Sequence, residues 1–120
     1  MTRSSEVPLR SLVNWVLQLP RVTQVPHKLG GIEFRVNGRG FMHSHGSSLL
    51  DIRLSQNDQA LVLSEGRAQR HRADVHHNEG WVSFIIEDER DVEGAEELVR
   101  LAYDNAKKEP RLTESQENKL

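Results

Sequence analysis

Two stretches of the chain carry apolar residues at helical spacing. In the first, the apolar positions are Leu9, Leu12, Val13, Val16 and Leu17. They predict a helix that Ser4 or Ser5 caps and that stops before Pro20. In the second, the apolar positions are Val92, Ala95, Leu98, Val99, Ala102 and Ala106. They predict a long helix that begins in the acidic segment "EDERDVEG" and ends at Lys108, a distribution of charge that suits the helix dipole.

Between these helices, apolar and polar residues alternate as they do in half-buried strands. The segments with this pattern are "GIEFRV" from Gly31 and "LLDIRL" from Leu49. After "GIEFRV", "NGRG" predicts a hairpin turn, because asparagine and glycine tolerate a positive φ, and a second strand is expected to follow the turn over residues 40–45. After a short helix that Ser55 opens and Gly66 ends, "RAQRH" predicts an edge strand and "WVSFIIE" predicts the strongest strand of the chain.

These elements predict an α+β fold, a two-layer sandwich of order α-β(3)-α-β(2)-α with a mainly antiparallel sheet. One domain is expected over residues 1–108, while residues 109–120 have little to bury and are expected to form a disordered tail. The segments "VPHKLGG" and "RADVHHNEG" are interpreted as a linker and a polar loop. The sheet face away from the helices is expected to expose polar residues to solvent, namely Glu33, Arg35, Asp51, Arg53 and the strand histidines.

The composition of the chain limits the chemistry available to it. The 120 residues include no cysteine, which excludes a disulfide, a zinc–thiolate site and a cysteine nucleophile. No apolar run is long enough for a membrane span and the first residues lack the apolar segment of a secretion signal, so a cytoplasmic protein is expected. Residues 1–72 carry ten Lys or Arg against five Asp or Glu, and the remainder carries six against thirteen. This asymmetry favours charge complementarity within the domain over nucleic-acid binding.

The segment "MHSHGSSLLDIRL" contains the strongest candidate site. His43 and His45 are two residues apart in a predicted strand, so their side chains point the same way, roughly 7 Å apart, a spacing that allows them to share one metal ion. The candidates for a third ligand are Asp51, His71 and the loop residues Asp74, His76, His77 and Glu79. The alternative is that these histidines lie on a solvated sheet face and donate hydrogen bonds that hold the hairpins.

Asp51 is the second unusual feature, because it interrupts an apolar run without forming a turn and aspartate is depleted in strands. It is expected either to contact a ligand or to form a salt bridge with an arginine on the same face. Trp81 is expected in the core or at its rim, and Ser83 is expected to be exposed. No Ser-His-Asp order, phosphate loop or dinucleotide fingerprint is present to indicate a standard enzyme.

Several of these motifs together resemble the luciferase-domain family of small bacterial proteins. The resemblance runs from about Gly31 to Lys108 and rests on the ordered motifs H-x-H-G, D-I-x-L, E-G-x-A-x-x-H and G-W-V-S-F. The family pattern falls on His43, His45, Gly46, Asp51, Gly66, His71, Gly80 and Trp81. The resemblance implies that the histidines and the aspartate of this pattern converge on one polar patch.

The C-terminal strand and helix also resemble the YjbR-like proteins. That resemblance implies a secretion-chaperone-like α+β fold, in agreement with the order of elements predicted above. It also implies DNA binding through paired hairpins as one alternative function. The arginines available for DNA binding are Arg35, Arg39, Arg67, Arg70 and Arg72.

The sequence therefore predicts a domain that binds a small molecule or a protein rather than an enzyme, as a monomer or a weak homodimer formed through the "RAQRH" edge. The candidate ligand-binding residues are His43, His45, Asp51, Arg53 and His71, and the candidate metal ligands are His43 and His45, with a divalent metal ion as the candidate cofactor. The enzymatic alternative is a histidine-bound metal that activates water or oxygen, with Asp51 as ligand or base. A light-producing reaction is disfavoured, since no flavin or nucleotide motif is present.

Overall fold

The computed structural model describes residues 6–27 and 30–108. The helices in these ranges are α1 (Glu6–Leu17), α2 (Gln56–Ser64), α3 (Asp74–Asn78) and α4 (Arg90–Lys107). The strands are β1 (Val22–Pro26), β2 (Ile32–Val36), β3 (Arg39–His45), β4 (Leu49–Arg53), β5 (Gln69–Arg70) and β6 (Trp81–Ile85). None of these helices combines the length and the apolar character needed to cross a membrane. The expected caps Ser4 and Ser5 and the expected tail at residues 109–120 lie outside the described residues.

The six strands form one antiparallel sheet in the order β1-β2-β3-β4-β6-β5. α4 packs against β2, β3 and β4, and α1 packs against α4 and β1. The two long helices therefore form one layer and the sheet forms the other, which confirms the predicted α+β sandwich. The segment "RAQRH" does supply an edge strand, although only Gln69 and Arg70 pair with β6.

The core lies between the long helices and one face of the sheet. Its largest fully buried side chains on the strands are Phe34, Phe41, Met42, Leu50 and Ile52. α4 contributes a stripe of buried residues at Ala95, Leu98, Val99, Ala102, Tyr103 and Ala106, close to the predicted one. Burying one large apolar side chain contributes about 1.5–3 kcal/mol relative to leaving it in water, so this cluster is the main source of stability.

A β-bulge between β2 and β3 determines which residues of β3 face away from the core. Phe34 is paired with Met42 and Arg35 with Gly40, so Phe41 is the extra residue of the bulge. Phe41 and Met42 are consequently both buried, although they are neighbours in the chain. Alternation resumes after Met42 and places His43 on the sheet face opposite the helices.

Two elements of the fold were not predicted. β1 lies at the sheet edge beside β2, and only its last two residues, Val25 and Pro26, belong to the segment interpreted as a linker. The exposed and half-buried residues of β1 do not alternate, and the strand ends at Pro26, a residue that sheets tolerate at an edge. α3 occupies part of the expected loop, and none of its residues is buried. A five-residue helix without a buried face has no apolar periodicity, so the pattern of the sequence could not reveal it.

The predicted turns and caps agree with the structure. Asn37 and Gly38 have φ values of 54° and 79°, as a type I′ hairpin turn requires. The Ser55 hydroxyl accepts a hydrogen bond of 3.1 Å from the backbone N–H of Asp58 and caps α2. Gly66, with a φ of 69°, follows the end of α2 in the left-handed conformation that terminates many helices.

Candidate functional site

The candidate residues lie on the sheet face opposite α1 and α4, where strand register brings them into one row. His43 on β3 pairs with Asp51 on β4, and Asp51 pairs with Ser83 on β6. Because residues paired across antiparallel strands share a face, the three side chains are neighbours. His45 follows His43 at the next position on the same face.

Asp51 is the centre of this row. The Ser83 hydroxyl donates a 2.9 Å hydrogen bond to Oδ1 of Asp51. The other oxygen, Oδ2, lies 3.0 Å from Nε2 of His45 and 3.4 Å from Nε2 of His71. The expectation that Asp51 and Ser83 face solvent is wrong, since they are 5% and 8% exposed. The reason is that the histidine rings surround the carboxylate and α3 packs against β6 on this part of the sheet.

The tautomer of the His71 ring follows from a hydrogen bond to the backbone. The backbone N–H of Ala73 donates a 3.0 Å hydrogen bond to Nδ1 of His71. This nitrogen therefore carries the lone pair, and the ring proton is on Nε2, the atom that faces Asp51. The ring of His71 is thus oriented by the chain that leads from β5 into α3.

His43 is held by a carboxylate and two aromatic rings. Its Nε2 lies 2.8 Å from Oε1 of Glu33, and Glu33 also pairs with Arg35. Burial raises the pKa of Glu33, but the hydrogen bonds from Arg35 and His43 outweigh this effect and lower it below the ordinary value. Burial also lowers the pKa of His43, against the opposing effect of Glu33, so the ring tends to be neutral. A neutral His43 that donates from Nε2 to the Glu33 carboxylate has its lone pair on Nδ1.

Aromatic rings around His43 complete the wall of the site. Trp81 stacks on His43 with ring centroids 4.5 Å apart and an angle of 29° between the planes. The ring of His27 lies 4.1 Å from that of His43 and 5.6 Å from that of His45. His76 contacts both His71 and Trp81, at centroid distances of 5.1 Å and 6.4 Å. We call the resulting cavity the histidine pocket.

The histidine pocket has a volume of about 320 Å³. Its lining residues are His27, His43, His45, Asp51, His71, Arg72, Ala73, His76 and Trp81. Four of the five residues predicted to bind a ligand thus lie in one cavity. The fifth, Arg53, lies outside it: its Nε donates a 3.2 Å hydrogen bond to the carbonyl of Glu79, and it lines a separate cavity with Arg39.

Sequence reasoning did not assign His27, Trp81 and Glu33 to the site. His27 belongs to the segment interpreted as a linker, and it directly follows β1, where its ring contacts that of His43 on β3. Trp81 is 7% exposed, as a core aromatic would be, yet its ring is the surface on which His43 stacks. A signal for Glu33 was available: it alternates outward on β2 and pairs with His43 once the bulge is known. His76 is exposed, as expected for the loop.

Two overlapping sets of side chains are spaced for metal coordination. His43, His45 and Asp51 each offer one ligand atom, and these atoms lie within 4.8 Å of one another. His27, Glu33 and His43 meet the same condition. His43 belongs to both sets. In the described part of the chain, the histidine pocket is therefore the region where a metal ion would find three protein ligands.

The arginines considered for DNA binding do not form one free basic surface. Arg35 is paired with Glu33, and Arg70 lies 2.9 Å from Asp74. Arg67 lies 2.9 Å from Glu97 and 3.4 Å from Glu65. Much of their charge is thus compensated within the domain.

Comparison with known proteins agrees with the motif resemblance. The model of the family described as "Luciferase domain" matches residues 38–102, more than half of the 120-residue chain. The matched segment includes His43, His45, Asp51, His71 and Trp81, and it excludes His27 and Glu33. No curated protein matches the chain. The chain belongs to the luciferase-domain family, as its motifs predicted.

Proposed function

We propose that this domain binds a divalent transition-metal ion through His43, His45 and Asp51. The observation that carries the proposal is the proximity of one ligand atom from each residue, all within 4.8 Å. Nitrogen and oxygen ligands bind zinc at about 2.0–2.2 Å, which places the ligand atoms of one tetrahedral ion roughly 3.3–3.5 Å apart. The 3.0 Å separation of His45 Nε2 and Asp51 Oδ2 is close to this range. Small side-chain rotations would bring the third ligand into place.

This set is favoured over His27, Glu33 and His43 on electrostatic grounds. Glu33 already pairs with Arg35, whose guanidinium would repel an ion bound at the same carboxylate. Among the described residues, Asp51 contacts a hydroxyl and two histidines, and it forms no ion pair with an arginine. Its negative charge is therefore the one in the pocket that a cation would meet with least competition.

The surroundings of the proposed ligands match what metal sites require. Metal-binding histidines generally donate their second N–H to a carboxylate or carbonyl, which fixes the ring and its tautomer. Glu33 provides this partner for His43, and Ser83 fixes the orientation of Asp51. Two imidazoles and one carboxylate suit zinc and the late first-row metals rather than calcium or magnesium, which prefer oxygen ligands.

Titration with Zn²⁺ and Co²⁺ tests the proposal. Calorimetry should show one ion per chain, and Co²⁺ should give a visible absorption band from bound ligands. The double variant His43→Ala/His45→Ala should lose binding by at least roughly 100-fold, because two of three ligands are removed. The matched control is His77→Ala, in α3 beside the pocket, whose ring contacts Gln59 instead of lining the cavity. Equal affinity in both variants would refute the proposal.

A second variant distinguishes the loss of a metal ligand from unfolding of the domain. Asp51→Asn keeps the size of the side chain and an acceptor for Ser83, and it removes the charge. It should weaken Zn²⁺ binding strongly while circular dichroism remains that of the native domain. If Asp51→Asn binds Zn²⁺ like the native protein, the carboxylate is structural and the proposed ligand set is wrong.

A metal-dependent hydrolase is a second candidate function, supported by the number of ligands. Three protein ligands leave a coordination position for water, an arrangement typical of catalytic rather than structural zinc sites. Bound water at such an ion loses a proton near neutral pH and becomes a nucleophile. The Zn²⁺-loaded protein should then hydrolyse p-nitrophenyl acetate faster than the metal-free protein and faster than His43→Ala/His45→Ala. Equal rates in all three samples would remove this candidate.

A further inference from the structure

The histidine pocket is larger than a metal ion needs. Besides the proposed ligands His43, His45 and Asp51, the pocket is lined by His27, His71, Arg72, Ala73, His76 and Trp81. A cavity of about 320 Å³ lies at the small end of the range for sites that bind small organic molecules. The pocket therefore has room for a ligand beside the ion.

Arg72 is the arginine among these additional lining residues. It forms no hydrogen bond or ion pair with any residue that the structure describes, whereas Arg70, two residues earlier, lies 2.9 Å from Asp74. Arg72 lies between β5 and α3, next to His71 in the chain, and it is an exposed residue of the pocket lining. An exposed guanidinium beside a cavity offers several N–H donors in a planar fork that fits a carboxylate.

The charge of the pocket also points to an anion. Asp51 is the single carboxylate among the lining residues and Arg72 is the single arginine, so their formal charges cancel although no ion pair joins them. A bound divalent ion would leave the pocket with two uncompensated positive charges. In a partly enclosed site such charges attract an anionic ligand strongly, because the water that screens them is reduced.

We propose that the histidine pocket binds a small organic acid, with its carboxylate between the metal ion and Arg72 and its carbon skeleton against Trp81 and Ala73. This inference rests on the proposed metal site and names the class of molecule that completes it. The apolar surface of Trp81 favours an organic carboxylate over a bare inorganic anion such as phosphate. The ligand would occupy the coordination position that the three protein side chains leave open.

Benzoate is a suitable probe, with benzamide as its neutral isostere and inorganic phosphate as the bare anion. Each is titrated by calorimetry into the Zn²⁺-loaded protein, into Arg72→Gln and into the matched control Arg70→Gln. Benzoate should bind more tightly than either comparison compound. Arg72→Gln should weaken benzoate by roughly ten- to a hundredfold, the effect of losing a charge-assisted pair, and Arg70→Gln should leave it unchanged. Neither arginine is a proposed metal ligand, so neither variant should weaken Zn²⁺ binding, and loss of the Arg72 charge should if anything strengthen it.

The results separate this inference from the proposed function. If benzoate and benzamide bind equally, if phosphate binds more tightly, or if Arg72→Gln behaves like Arg70→Gln, the organic-acid site is refuted while the metal site stands on its own titration. If Zn²⁺ fails to bind, the same titrations on the metal-free protein decide whether Arg72 alone attracts the carboxylate. Absence of benzoate binding in both forms at millimolar concentration overturns the inference.

Discussion

The hydroxyl of Ser83 donates a 2.9 Å hydrogen bond to Oδ1 of Asp51, and this bond directs the other carboxylate oxygen toward the histidines. Both residues are buried on the sheet face opposite the long helices. The pair joins β4 to β6, two strands that are neighbours in the sheet but separated in the chain by α2, β5 and α3. The position of the candidate metal ligand Asp51 thus depends on a residue that would not itself contact the ion.

Ser83→Ala should weaken metal binding without abolishing it. Loss of the hydroxyl releases Oδ1 and lets the carboxylate rotate, and changes to such outer partners typically cost about 10- to 100-fold in metal affinity. Calorimetric titration with Zn²⁺ measures the effect. The matched control is Ser44→Ala, which removes a buried hydroxyl from the core-facing side of β3. If the two variants bind Zn²⁺ equally, Ser83 does not orient Asp51.

Glu33→Gln distinguishes the two overlapping ligand sets. With the ion at His43, His45 and Asp51, the amide oxygen of the new side chain still accepts from His43, so affinity should fall about tenfold and binding should persist. With the ion at His27, Glu33 and His43, a ligand is lost and binding should disappear. The companion variant His45→Ala should give the opposite result. Zn²⁺ binding should disappear with the ion at His43, His45 and Asp51, and it should persist with the ion at His27, Glu33 and His43. Zn²⁺ titration of both proteins compares these outcomes directly.

Gly80→Ala should destabilise the fold. A Cβ at this position would lie 2.0 Å from the backbone carbonyl oxygen of Leu54, and the φ of 102° is strained for any other residue. Backbone strain alone costs about 1–3 kcal/mol, and the steric overlap adds to it. Gly46→Ala is the control, because its φ of 61° is also positive but its Cβ would enter open space. Urea denaturation should show a clearly smaller loss for Gly46→Ala; equal losses would mean that the contact with Leu54 is easily relieved.

Gln59→Leu should loosen α3. The side-chain amide of Gln59 donates 2.8 Å and 3.1 Å hydrogen bonds to the carbonyls of His77 and Trp81 and so ties α2 to α3 and β6. Leaving buried carbonyls without a donor costs about 1–3 kcal/mol. The control Gln56→Leu removes a hydrogen bond to the carbonyl of Asn78 at the exposed surface. The free energy of unfolding of this control should change by less than about 0.5 kcal/mol. Thermal and urea unfolding measure both variants. Equal losses in the free energy of unfolding would contradict the role given to Gln59.

Local patterns were sufficient for most of the fold. β2 and β4 follow from the alternation of apolar and polar residues, and β3 follows from the hairpin turn before it. β6 follows from its aromatic and β-branched residues, and α4 follows from its apolar stripe. β1 lacks that alternation because it is an edge strand with little buried surface, and α3 lacks a buried face altogether. Elements that bury almost nothing leave no periodic signal, and their positions depend on tertiary contacts instead.

The part of the site that lies within the β3–β4 hairpin was predictable from strand geometry. His43 and His45 share a face because they are two residues apart, and Asp51 lies opposite His43 in the adjacent hairpin strand. The contacts of Asp51 with Ser83 and His71 depend on β6 and β5, which reach this region through non-local strand order. The same is true of Trp81, whose stacking on His43 requires β4 to lie between their two strands. No spacing within the sequence specifies these neighbours.

The small helix α3 gives the pocket a wall that differs in stability from the sheet beneath it. Val75 in α3 is 63% exposed, whereas Leu50 and Ile52 in β4 are fully buried. Segments with few buried contacts open at far lower free energy than the global unfolding of the domain. Backbone amides of α3 should therefore exchange with solvent deuterium much faster than those of β4. The speed at which molecules enter and leave the histidine pocket can then be tuned by mutation in α3 while the melting temperature of the domain stays the same.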